Sequence, residues 1–238
     1  MYLKELRYYF TTPVAYIVIG LYLLAVSLFL WVIPGEWNIP QSGYAQADGL
    51  FRITPWLLMC LCPALTMRLF CEERQTGTWM LIRTKPIALW KIVTGKYLAA
   101  WTVVLLAQLP AVIHYFLVYW LAQPIGNIDT GAFFGSFLGL IFLSSSFCAI
   151  GLLSGTTTKS QIVAYIIGAL SCFLFFYGFD ILASLFSSGN IIRIVQWLGL
   201  NIHYSSISRG VIDLRDVTYF LTFSITFVII SIQLMKRK

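Results

Sequence analysis

The side chains able to do chemistry are few in this sequence, and their spacing is informative. His114 and His203 are its only imidazoles. No serine, aspartate or glutamate stands at helical spacing from either within one membrane-length apolar run, so no nucleophile–base or acid–base pair assembles on a single span. An intramembrane enzyme built on His114 is therefore a minor competing reading; a lone intramembrane histidine usually makes an interhelical hydrogen bond. "GLLSGTTTKS" (Gly151–Ser160) lacks the Gly-Lys pair of a phosphate loop and follows an apolar run rather than a soluble strand. Cys60-Leu-Cys62, with Cys71 nearby, places its cysteines on different helix faces, which does not suit a metal. All five cysteines, with Cys148 and Cys172, read as small buried hydrophobes. No catalytic residue, metal or cofactor is expected in this chain. Gln108, His114, Ser144–Ser146 and Asp180 are the polar residues inside apolar runs. Gln108, His114 and Asp180 are candidates to line a pathway or an outer vestibule, Asp180 alternatively pairing with Arg193.

The densest polar chemistry lies elsewhere, in "CEERQTGTWMLIRTKP" (Cys71–Pro86). Burying Glu72, Glu73, Arg74, Arg83 and Lys85 at mid-membrane would cost on the order of 10 kcal/mol on insertion scales, so the stretch belongs in water. It is far longer than a connection requires. Trp79–Ile82 form an apolar patch inside it, Gly77 marks a tight bend, and Pro86 suits the first turn of a helix that ends near Gly95. The expectation is a small folded surface, charged at its tip, built to touch a partner. Capping and solvating a helix end is the plainer reading of Glu72, Glu73, Arg68 and Arg74.

The elements that position this surface follow from composition. Of 238 residues 59% are hydrophobic and only 11% charged, and the mean hydropathy is +0.83. This is an all-α integral membrane protein rather than a soluble domain. Runs of about 20 apolar residues cross a bilayer, and six are present, at 14–33, 52–70, 97–122, 131–153, 161–186 and 217–235. Pro63 and Pro110 imply kinks in the second and third. The first is too long for a signal peptide and is retained. With both termini inside, twelve of the sixteen basic residues fall on the cytoplasmic side, Lys85 and Lys238 among them, as the positive-inside rule asks. The net charge of +7 thus reflects topology, and no nucleic acid is expected.

Two further segments are not spans. In residues 1–13, Tyr2, Leu3, Leu6, Tyr9, Phe10 and Pro13 share one helical arc, opposite Lys4, Arg7 and Thr11. This predicts an amphipathic helix lying flat on the inner leaflet, with Lys4, Leu6, Arg7 and Phe10 as its contact residues. Residues 14–238 then form one six-span domain. In the outer segment Ser187–Asp216, "NIIRIVQWLG" is too short to cross and predicts a re-entrant or interfacial helix, with Asp216 capping the last span. Gly131, Gly135 and Gly139, then Gly151 and Gly155, stand four apart, a spacing for close helix packing inside one bundle rather than between two chains.

"EERQTGTWMLIRTKPI" resembles the signature that follows the second span in ABC-2-type transporter permeases, carried by Glu72, Glu73, Gly77, Thr78, Met80–Ile82, Thr84 and Pro86. The family often has Glu-Leu-Leu-Leu-Thr after Gly-Thr; this chain has "WMLIRT". Within that family, "HYSSISRGVIDLRDVTYF" (His203–Phe220) is similar to gliding-motility-associated permeases of Bacteroidetes. The resemblance implies the membrane subunit of an ATP-driven exporter in a bacterial inner membrane, linked to gliding or cell-surface machinery. It implies a separate ABC ATPase carrying ATP and Mg, and a second permease chain, identical or related. It further implies that Glu72–Thr78 is a coupling helix, with Glu72, Glu73, Arg74, Gly77, Thr78 and Trp79 making the ATPase contact and the leader helix bracing it. A non-transporting scaffold that docks an ATPase is the alternative.

Overall fold

The computed structural model describes every residue except Ala45, Lys85, Ser187, Ser188, Val211, Ile212 and Lys238, together with the side chain of Arg83. The expected positive charges at Arg83, Lys85 and Lys238 therefore lie outside the described residues. Helices alone occur among those described. The leader is α1 (Tyr2–Thr11). The first span is α2 (Val14–Ser27), continued by a π turn over Leu28–Val32, and a short α3 (Ile39–Ser42) follows. Next come α4 (Asp48–Thr66), α5 (Arg68–Gln75) and α6 (Thr78–Arg83), then α7 (Leu89–Gln108) and α8 (Ile113–Leu121), joined by a 3₁₀ turn over Leu109–Val112. α9 is Thr130–Thr157. α10 (Gln161–Phe173) passes through a π turn at Leu174–Gly178 into α11 (Phe179–Ser184). α12 (Gly189–Trp197), α13 (Leu200–Ile207) and α14 (Leu214–Arg237) complete the chain.

Among the described residues six helices are long and apolar enough to cross a membrane: Val14–Val32, Asp48–Gln75, Leu89–Leu121, Thr130–Thr157, Gln161–Ser184 and Leu214–Arg237. α9, which carries no charge, is the axis of the bundle. Its most apolar window is 72% buried against 22% for those of the first, fifth and sixth spans, and it packs on α4, α7, α10 and α14. The glycine spacing serves this internal packing. A Cβ at Gly151 would collide with Thr66 Oγ1 and come within 3.1 Å of the Pro63 Cα, and one at Gly135 would lie 2.8 Å from the Gly210 Cα.

Several boundaries differ from expectation for physical reasons. The helix expected to end at Gly95 runs on as α7. It begins three residues after Pro86, and Gly95 is the point where Met1 and Tyr2 press against it, at 3.1 Å from a virtual Cβ. The second span extends through the charged residues to Gln75, because these charges find partners inside the chain. Pro110 is accommodated by the 3₁₀ turn, which begins at Leu109. The last span starts at Leu214. Asp213 Oδ1, not Asp216, accepts the Arg215 amide at 2.9 Å there, and Asp216 turns inward to His203. Cys60 is exposed, whereas the other four cysteines are buried as expected.

Candidate functional site

The end of the bundle that carries both termini is built around Lys96, which is 1% exposed. Its ammonium has three donors and three acceptors: Glu73 Oε1 at 2.7 Å, the Leu69 carbonyl at 2.9 Å and Glu5 Oε1 at 3.0 Å. The Phe70 ring lies 5.4 Å away on another side. A buried charge is tolerable only when paired and hydrogen-bonded in this way. The cluster joins the leader helix (Glu5), the end of the second span (Leu69, Glu73) and the start of the third (Lys96). Around it, Tyr9 donates to the Leu65 carbonyl at 2.9 Å, Tyr2 and Thr102 hydroxyls lie 3.1 Å apart, and Tyr8 donates to Glu72 Oε1 at 2.8 Å. Glu72 also meets Arg68 at 3.4 Å. The hydrogen bond to Glu72 raises the pKa of Tyr8, and burial pushes that of Tyr9 well up.

The leader is thus a helix, as its pattern suggests, but its inward residues include the charge Glu5, and Leu3 of the expected apolar arc is exposed. Among the four contact residues expected, Leu6 and Phe10 are half-buried against the bundle, while Lys4 and Arg7 point to solvent. Sequence alone gave no sign of Glu5: a lone acid between Lys4 and Arg7 reads as surface charge. Its partner is 91 residues away.

The arm beyond Lys96 divides into a braced base and a free apex. Arg74 turns inward, Nη1 donating to the Thr156 carbonyl at 2.8 Å and Nη2 lying 2.7 Å from Met235 Sδ. Gln75 Nε2 donates to the Lys159 carbonyl at 3.0 Å, and the Cys71 thiol sits 3.4 Å from the Thr158 carbonyl. Glu72, Glu73 and Arg74 lie in α5, which continues the second span, and all three find partners within the chain. Gly77 then reverses the chain at φ +74°, a left-handed conformation open to glycine at little cost. The short α6 folds back so that Trp79 is buried edge-on against Phe70, with ring centroids 5.9 Å apart. What faces outward is Gln75–Thr78, Met80 at 70% exposure and Leu81 at 67%. Between leader and arm lies a cleft of about 610 Å³, whose lining holds both signs of charge, Lys4, Arg7, Arg68 and Lys96 with Glu5, Glu72 and Glu73.

The residues expected to line a pathway are not brought together. Gln108 is buried, with neither its amide nitrogen nor its oxygen in a hydrogen bond. His114 is an interhelical hydrogen-bonder, accepting from Trp31 Nε1 at 3.1 Å. Asp180 Oδ2 accepts from Asn201 at 2.7 Å and makes no ion pair with Arg193 among the described residues. The pairing missed by sequence is His203–Asp216, 2.7 Å apart at the other end of the bundle. The second ring nitrogen of His203 is 2.9 Å from the Trp197 carbonyl. With both nitrogens occupied, it is an anchor rather than a general base. The two residues straddle the start of a helix, so no periodic spacing links them.

The profile of the ABC-2 family transporter protein family matches residues 37–207, most of the chain and all of the arm just described. No curated protein matches it.

Proposed function

Because the chain belongs to the ABC-2 transporter family and carries six helices able to span a membrane, it is a transporter membrane subunit, and we propose that its terminal end docks a separate ABC ATPase. The apex Gln75–Leu81 is the contact, with Met80 and Leu81 as apolar anchors. The neighbouring cleft, with Lys4 and Arg7 at its edge, receives an acidic element of the ATPase. Glu72, Glu73, Arg74 and Trp79 act behind the contact as its foundation, while Gly77 and Thr78 shape its turn. ATP and Mg reside on the partner subunit. The terminal end faces the cytoplasm, which agrees with its share of Lys and Arg.

The observation that carries this reading is the Lys96 cluster. It makes the leader, the second span and the third span one body at the foot of an apex that presents apolar side chains to solvent. Closure of an ATPase under the apex would therefore move the second and third spans together. Arg74 passes the displacement to α9 and α14 through Thr156 and Met235. ATP shifts the equilibrium between inward- and outward-open states only through the ATPase's differential affinity for them. Two such chains, identical or related, form the exporter in the inner membrane. A link to gliding or cell-surface machinery rests on the His203–Phe220 likeness alone, most of which lies beyond the family match.

Co-expression with an ABC ATPase tests the docking. The wild-type chain should co-purify with it and stimulate ATP turnover, and Leu81→Glu should abolish both while the chain remains folded. Unchanged association and turnover in that variant would refute the docking site.

A further inference from the structure

At the end of the bundle opposite the termini, a second cavity of about 430 Å³ opens between α4, α9, the π turn of the fifth span and α13. Its size is that of a small-molecule site. Arg52 and Arg209 are both exposed along its lining, and among the described residues neither guanidinium comes within 4 Å of a carboxylate. Asp48 also faces the cavity, so the charged groups of its lining sum to +1, and Asp129 lines the adjoining cavity beside Arg209. The floor is apolar and buried, with Phe51, Pro55 and Phe176. One wall is the Trp56–Tyr177 pair, stacked with centroids 4.6 Å apart. Tyr177 belongs to the π turn, a distortion that recurs at functional sites.

The three serine hydroxyls here are committed in the same sense. Ser136 donates to the Ser208 carbonyl at 2.8 Å, Ser205 to the Ile202 carbonyl at 2.9 Å, and Ser208 to the Ser205 carbonyl at 3.1 Å. Each serine has thereby used its single donor and keeps its oxygen lone pairs. The serines can therefore accept hydrogen bonds from a ligand but cannot give them, while the two guanidiniums can only give. A ligand that carries a negative charge for the arginines and hydroxyl donors for the serines matches both sets. A bare anion leaves the serine lone pairs unmatched, and a neutral polyol leaves the positive charge uncompensated.

We propose that this cavity binds a hydroxyl-rich monoanion, with Arg52 and Arg209 holding the charge, Ser136, Ser205 and Ser208 accepting from its hydroxyls, and the Trp56–Tyr177 wall packing against its carbon skeleton. The same chemistry is available from a free solute or from a lipid headgroup. Binding requires no ATPase, so its success or failure is separate from that of the docking site.

The test uses the full chain in phosphatidylcholine nanodiscs and titration calorimetry with glucuronate, glucose and benzoate, which divide charge from hydroxyls. Glucuronate should bind saturably and at least about tenfold more tightly than either of the others, and Arg52→Gln with Arg209→Gln should weaken it by about tenfold or more. Thermal unfolding of this double variant should match wild type, and Arg52→Lys with Arg209→Lys should restore part of the affinity. Glucuronosyl diacylglycerol placed in the nanodisc distinguishes the sources. If it excludes free glucuronate the ligand is a headgroup; if free glucuronate binds unaffected, the ligand is a solute. Absence of saturable binding by both forms would overturn the inference. So would glucose or benzoate binding as well as glucuronate, or affinity unchanged in a folded Gln variant.

Discussion

Replacing Lys96 by Met removes the one cation that three separated segments share. The side chain keeps nearly the same length, so packing against Phe70 is largely preserved. What changes is that Glu5 and Glu73, whose side chains are only 9% and 15% exposed, lose the cation to which both are hydrogen-bonded. Breaking a buried pair by deleting one partner typically costs about 3–5 kcal/mol, and the low exposure of both acids leaves little solvent screening to reduce it. The loss should appear first as release of the leader, because Glu5 is the buried charge that ties α1 to the second and third spans. An opening free energy lower by that amount corresponds to amide exchange over Tyr2–Thr11 faster by on the order of 10²–10⁴-fold. Hydrogen-exchange mass spectrometry of the detergent-solubilised chain measures it. Adding Glu5→Gln and Glu73→Gln to Lys96→Met removes the uncompensated charges and should recover most of the protection, since neutral replacement of a whole buried cluster is often nearly free of cost. Unaltered exchange over the leader in Lys96→Met would refute the cluster's role, as would a triple variant no better protected than the single one.

Three other outcomes follow from the same geometry. Gln108→Leu, which deletes a buried amide without hydrogen-bond partners, should raise thermal stability by about 1–3 kcal/mol; a loss of stability would mean that the amide is engaged. Gly77→Val forces a β-branched residue to φ +74° and should cost about 1–2 kcal/mol locally, seen as faster exchange over Thr76–Arg83 and lower ATPase stimulation, with the six spans intact. Tyr8 has a raised pKa because it donates to Glu72, so its neutral form is favoured in the folded chain. The tether is therefore complete below the ordinary tyrosine value of about 10 and is lost as pH rises through the higher folded value. The excess exchange of the leader in Tyr8→Phe over wild type should be present at neutral pH and vanish in strong alkali.

Much of the architecture was legible because membrane insertion imposes a simple grammar. Uncharged runs such as Thr130–Ser154 admit few structures other than a spanning helix, and the glycine spacing within that run announced its close contacts. Pairings between distant charges were not legible. Glu73 and Arg74 look like a solvated tip because local composition cannot reveal Lys96, the Thr156 carbonyl or Met235. Trp79 looks like an exposed anchor because nothing local indicates that the turn at Gly77 folds it back onto Phe70. Within this stretch the side chains are disposed differently from what local composition suggests. The charges hold the apex from behind, and the uncharged residues Met80 and Leu81 stand outermost. The cavity at the end opposite the termini was missed for the same reason, since Arg52 and Arg209 lie far apart in the sequence and line one cavity only in the fold.

The central claim is that the Gln75–Leu81 apex is a docking surface for an ATPase. Site-specific photo-crosslinking from position 81 in cells, with the membrane subunit and its ATPase both present, tests it most directly. The account predicts a crosslink to the ATPase that disappears when Gly77→Val disturbs the turn. Crosslinks from position 81 to lipid alone, with the ATPase captured from another face of the chain, would contradict it.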